Sequence, residues 1–253
     1  MIDNVVAIVS TAHWQGDPRL NRHVSYLQAA GYQVTLSTHS DKPRGAALLG
    51  ALSGIWRGDG RRVILPDPDL FVLGSLVARL RRKLPILDIH EDYAKAAMAR
   101  PWIPDYLRPI VRALASLNTV IARAVAWRTM TAAPELSTEG DFLVLNLPDP
   151  ASVDPSPYEG DRRLLYIGDL TLARGAVEMI EVLSHLDETF ELVLVGPTDV
   201  EVGKTISEIA AKLGVSGRVI TTGRLSHSEA WTTASGSLVG LSLLTDVPAY
   251  REA

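Results

Sequence analysis

The sequence predicts an α/β protein with two doubly wound parallel sheets, the second of them incomplete. Three observations carry this. Buried β-branched runs alternate with amphipathic helical stretches, the alternation breaks at a proline-rich segment (148–161), and it restarts beyond it. A length of 253 residues with 47% apolar and 21% charged residues suits one or two ordinary globular domains and excludes disorder as the dominant state. The expected division is a first domain over 1–147, a linker over 148–161 and a second domain over 162–253.

Asn4–Ser10 is a continuous β-branched run, as expected for a central parallel strand. A polar loop to Gly16 leads to Asp17-Pro18, an N-cap followed by proline at the first helical position. Leu20, Val24, Leu27 and Ala30 then share one helix face, and Gly31 ends it. Gln33–Thr38 is the next strand. Residues 40–62 carry glycines and arginines but no clear period. Arg62–Leu65 reads as a strand, Leu70–Arg82 as a helix, Pro85–Ile89 as a buried strand, Leu107–Trp127 as a helix, and Arg128–Ala132 and Asp141–Leu147 as strands. Beyond the linker come strand Leu164–Ile167, helix Arg174–Leu186, strand Glu191–Val195, helix Val202–Leu213, strand Arg218–Thr222, helix Ser226–Ala234 and strand Ser237–Leu244.

Cysteine is absent, which excludes disulfides, thiolate catalysis, zinc–thiolate sites and iron–sulfur clusters. No run approaches the ~20 apolar residues that span a bilayer, and the start, Met1-Ile2-Asp3-Asn4, has no basic leader region. A cytoplasmic location is expected. The net charge of −4 conceals a basic first half and an acidic second half. The excess of bases lies within 79–128, from Arg79, Arg81, Arg82 and Lys83 to Arg128. Such a region either solvates helix faces or meets something anionic, an anionic membrane surface being the expected partner. No nucleic acid is expected.

Chemistry-bearing residues gather at strand ends. Gly168 leaves the strand at Ile167, and Arg174-Gly175 opens the following helix, where backbone N–H groups and a guanidinium together make a phosphate site in outline. A solvent-facing arginine on a common turn is the alternative. Gly196 and Gly223, the latter followed by Arg224 and Leu225, end the next two strands, as a ligand lying over the carboxyl edge of a sheet requires. In the first half, Ile86–Ile89 runs into His90-Glu91-Asp92-Tyr93. There His90 either holds a hydroxyl or proton, or caps the next helix. No metal site is expected: the histidines lack ligand spacing, and Asp67-Pro68-Asp69 reads as a turn.

Taken in order, the Asp17-Pro18-Arg19 helix start, "DIHEDY", "LNLPDP", "YIGDLTLARG" and "LVLVGP" resemble the family 4 retaining glycosyltransferases of the GT-B fold, across essentially the whole chain. The resemblance implies two Rossmann-like domains facing a cleft, the second binding a nucleotide-diphosphate sugar and the first an acceptor, with no essential metal or other cofactor. It implies that His90 contacts the donor sugar, that Gly168, Arg174 and Gly175 form the diphosphate loop with Gly196 beside them, and that Arg224-Leu225 meets the nucleobase. Gly16 and Glu91 fall on the acceptor side. The implied reaction is retaining transfer of a sugar to the hydroxyl of a cell-envelope or lipid-linked glycan, peripherally at the inner face of the membrane. A nucleotide-sugar 2-epimerase of the same fold, and a non-catalytic nucleotide-binding or interaction protein, stay open. This sequence departs from the pattern in three places. Asp169 stands where the loop has a first cation, the glycine-rich turn after the first strand is reduced to Gly16, and the paired glutamates do not occur up to Ala253. Weak nucleotide binding, turnover near background and an apolar edge strand at Ser237–Leu244 are the corresponding expectations.

Overall fold

A computed structural model describes residues 2–98, 103–147, 160 and 162–246. The chain divides into two units, Met1–Leu147 and Pro148–Ala253, each with its own sheet. The expected linker lies outside the described residues, apart from Gly160.

In the first unit, β1 (Ile2–Ser10), β2 (Gln33–Thr38), β3 (Gly60–Leu65), β4 (Leu84–Ile89), β5 (Arg128–Thr131) and β6 (Phe142–Leu143) pair in parallel in the order β2-β1-β3-β4-β5-β6. The continuous apolar runs are explained by burial on both faces. Val6, Ile8 and Ile64 pack with Leu20 of α1 (Pro18–Ala29), while Val9, Val63, Leu65 and Leu87 face α2 (Arg44–Arg57) and α3 (Pro68–Leu80). Each such fully buried aliphatic side chain contributes ~1.5–3 kcal/mol of transfer free energy. Because β2 and β3 flank β1, the strand order reverses there, and a crevice opens between the carboxyl ends of β1 and β3.

Helix α2 fills part of the stretch without a clear period. Its buried face is Ala47, Ala51 and Ile55, spaced by four with two of the three small, and its three glycines, at 45, 50 and 54, hide that spacing. Lys83 is buried and its ammonium donates to the carbonyls of Ile55 (2.6 Å) and Gly58, closing the end of α2. A short α4 (Tyr93–Met98) precedes α5 (Arg108–Val125), which begins after a 3-10 turn over Asp105–Leu107. The last expected strand of this half shrinks to Phe142–Leu143.

The second unit pairs β7 (Arg163–Ile167), β8 (Glu191–Val195), β9 (Val219–Gly223) and β10 (Val239–Gly240) in parallel in the order β10-β7-β8-β9. Leu164, Tyr166, Leu192 and Leu194 face α6 (Ala176–Ser184) and α7 (Val200–Lys212), and Leu165, Val193 and Val195 face α8 (His227–Ala234). Ser226 and Glu229 close a reciprocal capping box on α8. Two expectations are corrected. Helix α6 starts at Ala176 because a 3-10 turn, Leu172–Arg174, precedes it. The strand expected over Ser237–Leu244 pairs only at Val239–Gly240. It stands at the edge of the sheet with Leu238, Val239 and Leu244 exposed, as expected of an apolar edge, while beyond it Leu241 and Leu243 pack on the α6 core and Thr245 N–H donates to Ala173 O (3.0 Å).

Candidate functional site

In the second unit, three glycines stand side by side where the strands end. Gly168 N–H donates to Val195 O (2.9 Å) and Gly196 N–H to Gly223 O (3.0 Å). Their φ values of 156°, 148° and 72° all favour glycine. A Cβ on Gly196 would lie 1.8 Å from Gly168 O, so no other residue fits. This rim is bare backbone. Beside it Arg174 brings its Nη1 to 3.4 Å from where a Cβ of Gly168 would stand. The backbone N–H of Arg174 is taken by Thr171 (3.1 Å to O, 3.2 Å to Oγ1), so its contribution to a ligand is the guanidinium and not the amide. Gly175, at φ 73°, leaves room for Leu243 O, which a Cβ would meet at 2.4 Å; its need for glycine comes from this packing. Arg224 is exposed just after β9, while Leu225 is half-buried against the Leu165–Val193–Val195 cluster.

The first unit places charged side chains in the equivalent position. A cavity of about 680 Å³ opens at the carboxyl ends of its strands, and His13, Asp67, His90 and Glu91 line it. Asp67, 2% exposed, accepts from Ser10 Oγ (2.6 Å) and from the backbone N–H of Thr11 (2.7 Å). It is thus part of a buried network as well as a turn. His13 lies between two carboxylates, with Nδ1 3.0 Å from Asp17 Oδ2 and Nε2 3.3 Å from Asp67 Oδ1. The bond to Asp17 raises the His13 pKa, against the cost of burial. Asp17 also caps α1 through the N–H groups of Arg19 and Leu20. Asp69, held by Thr11 Oγ1 (2.7 Å), has its pKa raised by burial.

Behind this surface Asp88 is fully buried. It accepts from Arg19 through Nε (2.9 Å) and Nη2, and lies 3.0 Å from His23 Nε2. Burial works to raise its pKa, but His23 and Arg19 outweigh it and bring the value to about 2. His90 stands in front, its Nδ1 3.4 Å from Tyr93 Oη, which itself donates to Pro66 O (3.3 Å). Burial and the charge of Glu91 push the Tyr93 phenol up, so it stays a donor. The His13 and His90 rings meet edge-on with centroids 5.3 Å apart.

No protein-family model and no curated protein matches the sequence. Solved structures do match it. HepE from Anabaena, in complex with UDP, gives a TM-score of 0.64 at 11% identity, over 95% of this chain and 74% of that one. Sucrose-phosphate synthase from Thermosynechococcus elongatus gives 0.66 at 14% identity, over 93% and 74%. WaaG, a glycosyltransferase involved in lipopolysaccharide biosynthesis, gives 0.54 at 15% identity, over 93% and 74%. The fold is GT-B.

Within this GT-B chain the expected site residues sort cleanly. Gly168, Arg174, Gly175 and Gly196 come together at one strand edge, with Arg224 and Leu225 after the next strand. His90 and Glu91 share the first unit's cavity. Gly16 does not line it: the Trp14 ring lies on Gly16, where a Cβ would be 2.0 Å from Trp14 Cζ3. The sequence reads Asp17 as an N-cap, which the structure bears out, but places neither His13, for want of metal spacing, nor Asp67, as a turn residue, in a site. Only the β1–β3 pairing brings residues 13 and 67 together. The basic region also reads differently in three dimensions. Lys83 closes α2, Arg79 donates to Val125 O and Ala126 O at the end of α5, and Arg123 pairs with Asp141. These three bases are spent on the fold.

Proposed function

We propose that the protein transfers a sugar from a nucleotide-diphosphate sugar to an acceptor hydroxyl, with retention, as the family 4 resemblance implies. The observation that carries the proposal is the bare glycine rim of Gly168, Gly196 and Gly223 with the Arg174 guanidinium beside it. A diphosphate needs close backbone approach and a cation where charge grows as the bond to the sugar breaks, and this rim offers both. HepE was crystallised with UDP and with UDP-glucose, which supports a nucleotide sugar as donor. Arg174 supplies the countercharge that a metal supplies elsewhere, so the reading needs no metal. His90, placed by Tyr93, orients the donor sugar and is not its nucleophile. Leu225 and the Arg224 backbone meet the base, and Glu91 faces the acceptor.

The acceptor in this reading belongs to a cell-envelope or lipid-linked glycan, with the protein seated on an anionic membrane. Among the described residues no helix is long and apolar enough to cross a bilayer. Helix α5 nevertheless exposes Ile110, Leu114, Leu117 and Val120 along one side, the pattern of a helix that lies in an interface. Binding to anionic but not neutral vesicles, weakening with salt, is the expected outcome, and equal binding to both would remove the membrane from the proposal.

The decisive experiment is calorimetry with UDP-, GDP- and ADP-sugars, followed by product analysis for transfer and for anomeric configuration. Replacing Arg174 by alanine is expected to weaken diphosphate binding about 10- to 100-fold, the loss of one charge-assisted contact. Binding that ignores Arg174, or a product of inverted configuration, would overturn the proposal.

A further inference from the structure

The first unit's cavity changes character from one side to the other, and the sheet order says in which direction. Lys42 and Arg44 follow β2, His13 follows β1, Asp67 and Asp69 follow β3, and His90 follows β4. With strands in the order β2-β1-β3-β4, the two cations stand at one side and the carboxylates and histidines in the middle. The far wall is apolar, built by Ala96 and Ala97 of α4, Ile103, and Val111 and Ala115 of α5. Both cations are exposed, and Arg44 makes no ion pair among the described residues. Lys42 is steadied by His39, its Nζ 3.3 Å from His39 Nδ1, and burial keeps His39 toward its neutral, accepting form. The middle groups suit hydroxyls: the Asp69 carboxylate accepts from Thr11 Oγ1 and from the backbone N–H groups of Asp69 and Leu70 and has lone pairs left for a further donor, and His90 offers a ring nitrogen.

We propose that this cavity binds an acidic amphiphile, a hydroxylated sugar with an anionic group at one end and an apolar substituent at the other, the anion on Lys42 and Arg44 and the apolar end against α4 and α5. This rests on the sugar-transfer reading, for which the ligand is the acceptor. It moves the recognition of negative charge from the basic stretch 79–128 to two residues outside it. A volume of about 680 Å³ accommodates a ligand of that size.

The test is calorimetry on the full chain, below micelle concentrations, with octyl glucuronide, octyl glucoside, methyl glucuronide and octyl glucoside 6-phosphate, and with UDP in parallel. Octyl glucuronide or the 6-phosphate is expected to bind about tenfold tighter than octyl glucoside, the difference a pair of charge-assisted contacts makes, and tighter than methyl glucuronide. Whichever of the two binds better identifies the anion as carboxylate or phosphate. The double replacement Lys42→Gln, Arg44→Gln is expected to erase the advantage of the charged ligands and leave octyl glucoside unchanged. The replaced side chains are exposed, so an unshifted melting curve serves as the control for folding. Equal binding of charged and neutral ligands, indifference to the double replacement, or no binding at all would overturn the proposal. Loss of UDP binding in the unaltered chain would instead count against the sugar-transfer reading, since the glycine rim lies in the other unit.

Discussion

The carboxyl edges of the two sheets occupy the same topological place and are built from opposite materials. In the first unit the edge is side chain: His13 pairs with Asp67 and Asp17 at the surface, and behind them buried Asp88 pairs with Arg19 and His23. In the second it is main chain: Gly168, Gly196 and Gly223 project nothing, and Arg174 reaches in from the neighbouring turn. The difference teaches where each edge gets its selectivity. A network of side chains reads hydroxyls and charge by hydrogen-bond geometry, at the risk of an unpaired buried ion when one member is lost. A bare backbone reads little but lets a polyanion come close.

Three experiments separate these constructions, beginning with the largest effect. Gly196→Ala places a methyl group 1.8 Å from Gly168 O, and the two strand ends must part. The expected cost is ~3 kcal/mol or more, seen as a loss of the second unit's melting transition with the first unit's unchanged. A stable variant would show that the rim tolerates side chains. Asp88→Asn leaves the buried Arg19 guanidinium without its counterion, at an expected cost of ~3–5 kcal/mol in urea unfolding of the first unit. The folded pKa of about 2 lies below the ordinary 3.8, so the stability Asp88 confers is complete above pH 4 and drains away as pH falls towards 2. The unaltered protein should therefore lose ~2 kcal/mol over that window, and the Asn variant should lack that loss. The smallest effect concerns His13. Its pKa is raised, so whatever stability it lends is full below the unfolded value near 6.5 and lost as pH rises through the folded one. An NMR titration of His13 should show the raised value, and Asp17→Asn, which still caps α1, should lower it. A titration untouched by Asp17 would break the clamp.

Most strands and the stronger helices were legible, because β-branched runs and apolar spacing are local signals. Helix α2 was not, since two of its three buried residues, Ala47 and Ala51, are small and its glycines blur the period. The strand expected over Ser237–Leu244 pairs over two residues only, because Leu241 and Leu243 leave the ladder to pack on the α6 core, while Leu238, Val239 and Leu244 stay exposed at the sheet edge. The glycine rim could be read in the sequence, one strand end at a time. The His13 clamp could not, because its partners at 17 and 67 are joined by tertiary pairing, and no spacing rule connects a loop after β1 to one after β3.

The Arg19–Asp88 pair has a kinetic consequence. Its members are 69 residues apart, so the bond forms only after β1, β3 and β4 have found their parallel register. Closing so long a loop is entropically slow, and the reward arrives after the crossing of the barrier. The pair should thus act as a latch on the finished unit, setting how slowly it opens and hardly how fast it assembles. In a chevron plot Asp88→Asn would then steepen nothing on the folding limb and raise the unfolding limb, whereas an equal slowing of folding would place the latch inside the nucleus.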